Sequence, residues 1–464
     1  MNSLHVRWRN FHGFEDTAWL TIKPLTVILG ANNSGKTSLL APLLLMKQSL
    51  LSTDHTLALL TRGDLTNLGS YDDLIYNHEA NRDLAIGVRF DSSEDHESEE
   101  EGEVGDHPPD ECDLTFMAHP NQRDILLRKY EIRDRFGRSL ITRTSLANGK
   151  YSLKNHCPAV PEKKSAKKAR NGFEKILQEK IKDAKPVYFL FTDKPLREAL
   201  IEGREGRKNR PGVVLSPGST LYLRATGYVS SKFHELFLHN LGYIGPLRER
   251  PKRFYEMEQE MPGEAGPRGE AVPHMLCRGR ASHSLTEVNR WVSFFEFGVG
   301  IECKEQPEGF SVYLKRSEAA PLVNFADTGF GMSQLLPLIV QGVYSEKGTY
   351  LIGEQPEIHL NPRLQARLAD LFVHRASTGR GLIVETHSEH LLLRLRRLVA
   401  EGKFSADDVA LYYVEKTAQT SVVRPVPISS NGHIETSDWP RGFFSESISD
   451  ALALATAQAK GKNG

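Results

Sequence analysis

The chain reads GANNSGKTSLL from residue 30, directly after an apolar run. The spacing is G-x-x-x-x-G-K-[ST], which is typical of a phosphate-binding loop between a strand and a helix. Gly30 and Gly35 allow the backbone to curl, so that successive N–H groups face one anion. Lys36 can reach the β- and γ-phosphates of a nucleotide, and Thr37 can offer its hydroxyl to Mg²⁺. This segment therefore predicts a nucleotide site.

A second candidate residue is an acid at the end of another apolar segment. Residues 349–362 read TYLIGEQPEIHLNP, in which YLI predicts a buried strand and Glu354 ends it. Ligands of open parallel sheets bind at the carboxyl ends of the strands. We therefore expect Glu354 to face the Mg²⁺ ion of a nucleotide whose phosphates lie in the phosphate-binding loop. The alternative is a strand that merely ends near solvent.

A histidine follows a third apolar segment. Residues 381–397 read GLIVETHSEHLLLRLRR, so a strand is expected to end just before His387. At that position an imidazole can hydrogen-bond to a γ-phosphate or to the attacking water. A histidine with a purely structural role is the alternative.

A second glycine turn precedes a predicted helix at residues 325–340, FADTGFGMSQLLPLIV. Gly329 and Gly331 come before Ser333 and Gln334. The N-terminus of the helix that follows is a second potential anion-binding site. One nucleotide does not need both the phosphate-binding loop and this second anion-binding site from the same subunit. The pattern therefore predicts two subunits arranged head to tail, each placing this turn over the other's nucleotide, with a plain helix cap as the alternative.

Composition narrows the class of protein. The 464 residues include 59 Lys plus Arg and 59 Asp plus Glu, so overall charge does not favour nucleic acid as a partner. No apolar run approaches the ~20 residues of a membrane span, and the charged N-terminus is unlike a signal peptide. Widely spaced cysteines predict neither a zinc site nor a disulfide framework and favour a reducing cytosol. They are Cys112, Cys157, Cys277 and Cys303.

Hydrophobic patterning predicts alternating strands and helices. Strands are expected within the first 30 residues and at 84–90, 114–117, 125–132, 213–225 and 300–314. Helices are expected at 37–51, 162–185, 233–241 and 286–297. Residues 91–111 are acidic and polar, which is typical of a mobile loop or an insertion boundary.

The four motifs, in this order, resemble the ABC-type ATPase heads of the SMC, RecF and OLD (overcoming lysogenization defect) group. The opening, LHVRWRNFHGFEDTAWLTIKPLTVILGANNSGKTSLL, is similar to that of RecF- and OLD-like ATPases, and EQPEIHLNP resembles their E-x-P-E-x-H-L-H-P run with Asn361 in place of the second His. LGYIGPLRERPKRFY and DWPRGFF resemble a bacterial subfamily of AAA-type ATPases found beside effector genes in phage defence systems. The resemblance covers residues 1–80 and 240–445.

This resemblance implies an α/β fold. It consists of an ABC-ATPase head with a mixed N-terminal sheet and a parallel P-loop core, an inserted helical or α+β lid region, and a small C-terminal extension that contains β-strands. The implied divisions are an N-lobe at 1–90, an insertion at 91–235, a C-lobe at 236–408 and an extension at 409–464.

The resemblance also implies ATP and Mg²⁺ as cofactors. Thr37 and Glu354 would lie on the metal side, and His387 would be the switch histidine. Gln355 stands where ABC heads carry the catalytic Glu, and glutamine cannot accept a proton at neutral pH; Glu357 is the alternative base. The implied phosphate contacts are Gly30, Asn32, Asn33, Ser34, Gly35, Lys36, Thr37 and Ser38, and the implied signature loop is Gly329, Gly331, Ser333 and Gln334.

The resulting expectation is a cytoplasmic ATPase that hydrolyses ATP slowly and acts as a switch or scaffold. It would form a homodimer or higher homo-oligomer and control a separate nuclease or toxin in anti-phage defence, without contacting a membrane. A RecF- or SMC-like ATPase of DNA maintenance remains an alternative, since the basic cluster at 163–170 can bind DNA phosphates. The third possibility is an interaction protein with a vestigial nucleotide site.

Overall fold

The computed structural model describes residues 4–54, 57–90, 109–119, 125–145, 151–156, 217–278 and 282–435, with four further positions near the C-terminus. Several predicted features lie outside these residues. They are most of the acidic segment, the charged helix at 162–185 with its basic cluster, and the DWPRGFF segment.

Contacts divide the chain into two compact units. One unit comprises Lys23–Thr37 and Leu241–Gly464 together with Met1, and the other comprises Asn2–Ile22 and Ser38–Asn240. The division into four segments drawn from the sequence remains a proposal.

The first unit contains a six-stranded sheet whose core is parallel. The strand order is β10-β15-β16-β4-β17-β18, and only β18 runs antiparallel to its neighbour. Apolar runs such as LTVILG in β4 are buried along their whole length, as expected for strands covered on both faces. The bounds are β4 Leu25–Gly30, β10 Leu241–Ile244, β15 Tyr350–Glu354, β16 Gly381–Glu385, β17 Val409–Lys416 and β18 Ser421–Pro425. The predicted α/β class with a parallel P-loop core is confirmed.

Helices cover this sheet and share one hydrophobic core with it. Leu29 of β4, Val384 of β16 and Phe372 of the helix Pro362–Ser377 all belong to that core, and each is at most 1% exposed. The helices of this unit are α4 Val272–Arg278, α5 Ser282–Phe294, α6 Phe330–Tyr344, α7 Pro362–Ser377 and α8 Glu389–Ala400. Helix α1, Lys36–Leu51, begins here and continues into the second unit.

A small antiparallel sheet also belongs to the first unit. It consists of β11 Tyr255–Glu256, β12 Gly300–Gln306, β13 Gly309–Lys315 and β14 Val323–Asn324. A disulfide joins Cys277, near the end of α4, to Cys303 in β12, with 5.5 Å between their Cα atoms. The prediction of no disulfide is wrong for this pair, because folding brings together two positions that lie 26 residues apart in sequence.

The second unit is built on an eight-stranded sheet in which all pairs are antiparallel. Its strands are β1 Leu4–Phe11, β2 Phe14–Asp16, β3 Leu20–Ile22, β5 Leu84–Phe90, β6 Pro109–Ala118, β7 Ile125–Asp134, β8 Ser139–Ser145 and β9 Tyr151–Asn155. It also contains the short helix α2, Tyr71–Leu74, and the long helix α3, Pro217–His234.

Helix α3 contradicts the strand predicted at 213–225. The alternating LYL letters suggested a period of two, whereas the buried positions Ala225, Val229 and Phe233 recur every four residues, which is the helical spacing. The helix predicted at 233–241 is confirmed for residues 233–239, which form the end of α3 and a π-helical turn, Glu235–His239, and strand β10 begins at Leu241. Among the helices that the structure describes, none has the length and apolarity to cross a bilayer.

Candidate functional site

The register of three parallel strands gathers the candidate residues at one sheet edge. Glu385, the last residue of β16, is paired with Ile28 of β4 on one side and with Glu354 of β15 on the other. Because β4 leads directly into the glycine-rich segment, both carboxylates lie at the edge from which the phosphate-binding loop starts.

The glycine-rich segment adopts a tight loop that requires its glycines. Gly30 has φ +158°, and a Cβ there would lie 2.5 Å from the Val414 carbonyl oxygen and 2.7 Å from Ser34 Oγ. Gly35 has φ +104° and Asn33 has φ +59°. Helix α1 then begins at Lys36 with no acidic residue in its first turn, so its positive end is free to attract an anion.

Two polar groups of the loop suit a bound phosphate. The Lys36 ammonium, 4% exposed, donates a hydrogen bond to the Ala31 carbonyl oxygen at 2.7 Å. Burial lowers the Lys36 pKa, and the charges of Glu385 and Glu357 oppose this shift. The Ser34 hydroxyl is buried and has no hydrogen-bond partner in the described part of the chain. An anion in this loop would satisfy both groups, so the loop fits a nucleotide phosphate.

Oxygen donors suited to Mg²⁺ lie next to the loop. Thr37 Oγ1 donates to Glu385 Oε2 at 2.9 Å, and Glu354 Oε1 accepts from the Tyr243 hydroxyl at 2.9 Å. Burial raises the pKa of Glu385. Across the described ranges, no group of three acidic, histidine or cysteine side chains could hold a metal ion alone. Mg²⁺ at phosphate loops commonly uses one or two protein ligands with phosphate oxygens and water, and Thr37 with the two carboxylates fits this pattern.

The segment after β15 is tied to the segment after β16. Gln355 has φ +45°, a left-handed conformation, and its N–H donates to the Glu385 carbonyl oxygen at 2.8 Å. Glu357 Oε1 accepts from the His387 N–H at 2.6 Å. The positions of the predicted catalytic residues are therefore interdependent.

Arg248 is buried against the same segment. Its Nη2 donates to the Glu354 carbonyl oxygen at 2.8 Å and its Nη1 donates to that of Gln355 at 3.3 Å. Burial lowers the Arg248 pKa to about 10, while the charges of Glu357 and Glu354 oppose the shift. This arginine therefore holds the backbone that carries the acids. Arg253, five residues further along the chain, instead forms an exposed ion pair with Asp327 at 2.6 Å.

His387 is half-buried at the end of β16. Burial, and secondarily the charge of Lys36, lower its pKa, which favours a neutral imidazole at neutral pH. Its ring makes no hydrogen bond to the residues that the structure describes, so both ring nitrogens remain free for a phosphate or water.

The second glycine turn starts helix α6. Gly329 is the N-cap, and Phe330 in the first turn is 53% exposed. The Ser333 hydroxyl donates to the Phe330 carbonyl oxygen at 2.9 Å within its own helix. Gln334 is buried. The signature-loop role of Gly329, Gly331, Ser333 and Gln334 stays a prediction.

The end of the predicted phosphate-contact run lies in the second unit. Ser38 Oγ is 3.1 Å from His12 Nδ1. Gln48, further along α1, holds the segment after the helix, since its side chain bonds to the backbone of Leu60 and Thr66. The contacts predicted for Asn32, Asn33 and Ser38 with phosphate remain predictions.

Comparison with known families decides the class of this protein. Residues 25–394 match the family described as "AAA domain, putative AbiEii toxin, Type IV TA system". The chain belongs to this AAA family. It is thus an ATP-binding P-loop protein of the AAA type, as the resemblance implied. Residues 404–454 match a second family, described as a protein of unknown function, DUF3696. No curated protein sequence matches the chain.

Solved structures similar to this AAA protein include SMC heads. One is the "SMC head domain from Thermotoga maritima", with 10% identity, a TM-score of 0.38, and coverage of 92% of this chain and all of that one. Another is an Smc head domain from Pyrococcus furiosus bound to the C-terminal domain of ScpA, with 12% identity, a TM-score of 0.39, and coverage of 92% and 97%.

Two residues of the site were missed at the sequence level. Glu385 ends an apolar strand as Glu354 does, so the same signal was present in the letters LIVET. Tyr243 lies within β10, and only the pairing of β10 with β15 brings its hydroxyl to Glu354.

The pKa of Glu354 predicts a pH-dependent stability. Burial, and then the charge of Glu385, raise it from 4.5 to about 7. The folded protein therefore retains a proton that the unfolded chain releases, so this contribution is complete below pH 4.5 and is lost as pH rises through 7. We expect the wild type to lose on the order of 2 kcal/mol of stability between about pH 5.5 and about pH 8 relative to Glu354→Gln.

Urea unfolding of both proteins at the two pH values measures this difference. Glu308→Gln, at an exposed turn, is the matched control and should keep the wild-type pH dependence. An equal pH dependence in Glu354→Gln and wild type would show that Glu354 does not titrate in this range.

Proposed function

We propose that this AAA protein is an ATP-dependent switch in which two copies pair head to tail and control a separately encoded effector. The contact that supports nucleotide binding most directly is the 2.9 Å hydrogen bond from Thr37 to Glu385. It joins the phosphate loop to the end of β16, the strand that His387 follows. Binding or cleavage of the phosphate can therefore change the position of the segment after β16.

The bound nucleotide would be ATP with Mg²⁺. Lys36 would leave the Ala31 carbonyl oxygen for the β- and γ-phosphates, and Thr37, Glu354 and Glu385 supply oxygen donors on the metal side. The metal would neutralise charge that develops on the phosphates. Because ATP is abundant in the cytoplasm, we place the protein there.

Slow hydrolysis follows from the residue at position 355. The side chain of Gln355 can orient a water but cannot take its proton at neutral pH. Glu357 is the alternative base, but its carboxylate already accepts the His387 N–H at 2.6 Å and is 8% exposed. Glu357 thus couples the two segments through Oε1, while its Oε2 is buried and has no hydrogen-bond partner among the described residues.

Head-to-tail pairing is supported by the surface around the second glycine turn. Ser333 borders an open surface pocket together with Arg250, and the Arg250 guanidinium lies 5.4 Å from the centre of the exposed Phe330 ring. An arginine beside a helix N-terminus suits a phosphate presented from outside. A second copy would present that phosphate.

Control of a separate effector, in anti-phage defence, is the broadest part of the proposal. The family description names a toxin of a toxin–antitoxin system, and the sequence shows no nuclease motif of its own. Effector chemistry would then come from another chain, whose activity changes when the paired heads open or close.

Thermal stability with and without ATP and Mg²⁺ tests nucleotide binding. Ligand at ~100-fold its Kd should stabilise the wild type by ~2.7 kcal/mol, and Lys36→Ala should abolish the shift because it removes the phosphate-binding ammonium. Lys347→Ala, at an exposed position, is the matched control and should respond as the wild type does. A full response in Lys36→Ala would contradict the proposed site.

Steady-state ATPase assays test the slow switch. We expect turnover well below the ~10 s⁻¹ typical of enzymes, and an increase of about tenfold or more in Gln355→Glu, because a carboxylate then acts as general base. Gln306→Glu, on the exposed end of β12, should change nothing. Wild-type turnover of ~10 s⁻¹ that survives Glu357→Gln would refute the idea.

Mixing two inactive variants tests the pairing. Lys36→Ala disables the phosphate loop, while Gly329→Glu places a carboxylate on the glycine turn without a clash, since a Cβ at Gly329 meets no atom within 4 Å. Head-to-tail pairs of the two variants contain one intact composite site, so random mixing should restore about a quarter of wild-type ATPase activity. Gly329→Ala is the control and should remain active alone. If the mixture stays inactive, or if Gly329→Glu is fully active by itself, the pairing is wrong.

A further inference from the structure

The disulfide of the first unit joins a core helix to the edge of the small antiparallel sheet. Cys277 lies near the end of α4 and Cys303 lies in β12, with 5.5 Å between their Cα atoms, a spacing usual for disulfides. Both residues are half-buried and border the hydrophobic core. Because neither cysteine is sealed inside the protein, a thiol in solution can approach the pair.

The free cysteine that the structure describes has the opposite surroundings. Cys112, in β6, is 0% exposed and carries a thiol that forms no disulfide. Burial raises the pKa of the Cys112 thiol well above its ordinary value, whereas the thiolate is the form that reacts in exchange. Within the described ranges, the pair of Cys277 and Cys303 is thus the one cysteine site suited to thiol chemistry.

The disulfide restrains an edge strand. In the order β11-β13-β12 of the described sheet, β13 is the one strand neighbour of β12. Outside that ladder, the Ile301 N–H donates to the Asn289 side chain at 2.9 Å, and Cys303 is joined covalently to α4. Met275 and Leu276 anchor α4 in the core. Opening the disulfide would therefore free the edge strand from a fixed part of the protein.

The small sheet connects the disulfide to the second glycine turn. Cys303 of β12 pairs with Val312 of β13, and β13 in turn pairs with β14. After β14 the chain forms a short helical turn, Phe325–Asp327, and then reaches Gly329, the N-cap of α6. One ladder of strands thus leads from the disulfide to the turn.

We propose that Cys277 and Cys303 form a reversible redox site, which thiol reductants open and disulfide oxidants close. Disulfides in the reducing cytoplasm are usually transient and redox-sensing, so the inference rests on the cytoplasmic location and the pairing proposed above. The closed form holds β12 against α4 and keeps the second glycine turn ordered for a second copy. The open form loses that restraint.

Opening the site by glutathione takes two thiol–disulfide exchanges. A glutathione thiolate attacks one sulfur of the pair and forms a mixed disulfide, and the other cysteine leaves as a thiolate that takes up a proton. A second glutathione thiolate attacks the glutathione sulfur of the mixed disulfide, and the remaining cysteine leaves in the same way. The pair gains two electrons and two protons, and two glutathione molecules become one oxidised glutathione. Excess oxidised glutathione drives the reverse reaction.

Alkylation of the full-length protein tests the redox site without nucleotide. After treatment with oxidised glutathione, we expect mass spectrometry to find the Cys277 and Cys303 peptides linked. After a large excess of reduced glutathione, and its removal, iodoacetamide should label both cysteines of the native protein. Cys112 should stay unlabelled in both states, because its thiol is buried.

Thermal unfolding measures the restraint itself. The Tm of the reduced form should be several degrees lower than that of the oxidised form, because opening a link between positions 26 residues apart restores entropy to the unfolded chain. The double variant Cys277→Ser, Cys303→Ser should have the lower Tm in both forms of glutathione. Cys157→Ser, which changes the cysteine outside the described residues, is the matched control and should respond as the wild type does.

Sedimentation with ATP and Mg²⁺ measures the consequence for pairing. We expect the reduced wild type and the double variant to pair several-fold more weakly than the oxidised wild type, because a less ordered glycine turn loses more entropy on binding. Equal pairing of the two redox forms would refute the link to the turn. Absence of pairing in both forms would count against the proposed switch, and the redox site would then be judged on alkylation and Tm.

Two results of the alkylation test would overturn the redox site, and both come from the wild type, so they hold even if the double variant does not fold. Cysteines that stay linked in a large excess of reduced glutathione would show a permanent structural disulfide. Cysteines that stay unlinked in oxidised glutathione would show two independent thiols.

Discussion

The parallel pairing of β4, β16 and β15 is the constraint on which the candidate site depends. Its register places Ile28, Glu385 and Glu354 side by side at one sheet edge. A slip of one residue would turn each carboxylate to the opposite face, and Thr37 would lose Glu385 as its partner.

That arrangement concentrates charge in a place that water cannot easily reach. Glu354, Glu357 and Glu385 are all buried, and burial raises the pKa of each. Lys36 and Arg248 oppose them, but both hydrogen-bond to backbone carbonyl oxygens. Such a site favours the arrival of a divalent cation and an anion together, which is what a metal-bound nucleotide provides. Nucleotide exchange would thus change the protonation and the contacts of the segments after β15 and β16.

Local sequence patterns identified the glycine-rich loop, whereas helix α3 and the disulfide were not predicted, and each of these outcomes has a physical cause. The loop at Lys36 was found because its spacing alone specifies the backbone curl. Helix α3 was misread because a short apolar run fits both periods of two and of four. The Cys277–Cys303 link was missed because nothing in the sequence between these two positions, which lie 26 residues apart, indicates that α4 ends beside β12.

By itself the sequence determined the α/β class, the tight glycine-rich loop before α1, and the places of Glu354 at the end of β15 and His387 just after β16, since each depends on neighbouring residues whose spacing is fixed by the chain. The tertiary structure alone decided that Glu385 partners Thr37, that Tyr243 donates to Glu354, and that the buried Arg375 donates to the Gly342 carbonyl oxygen. These contacts join residues that are far apart along the chain. They arise from strand order and helix packing, which short-range patterns do not encode.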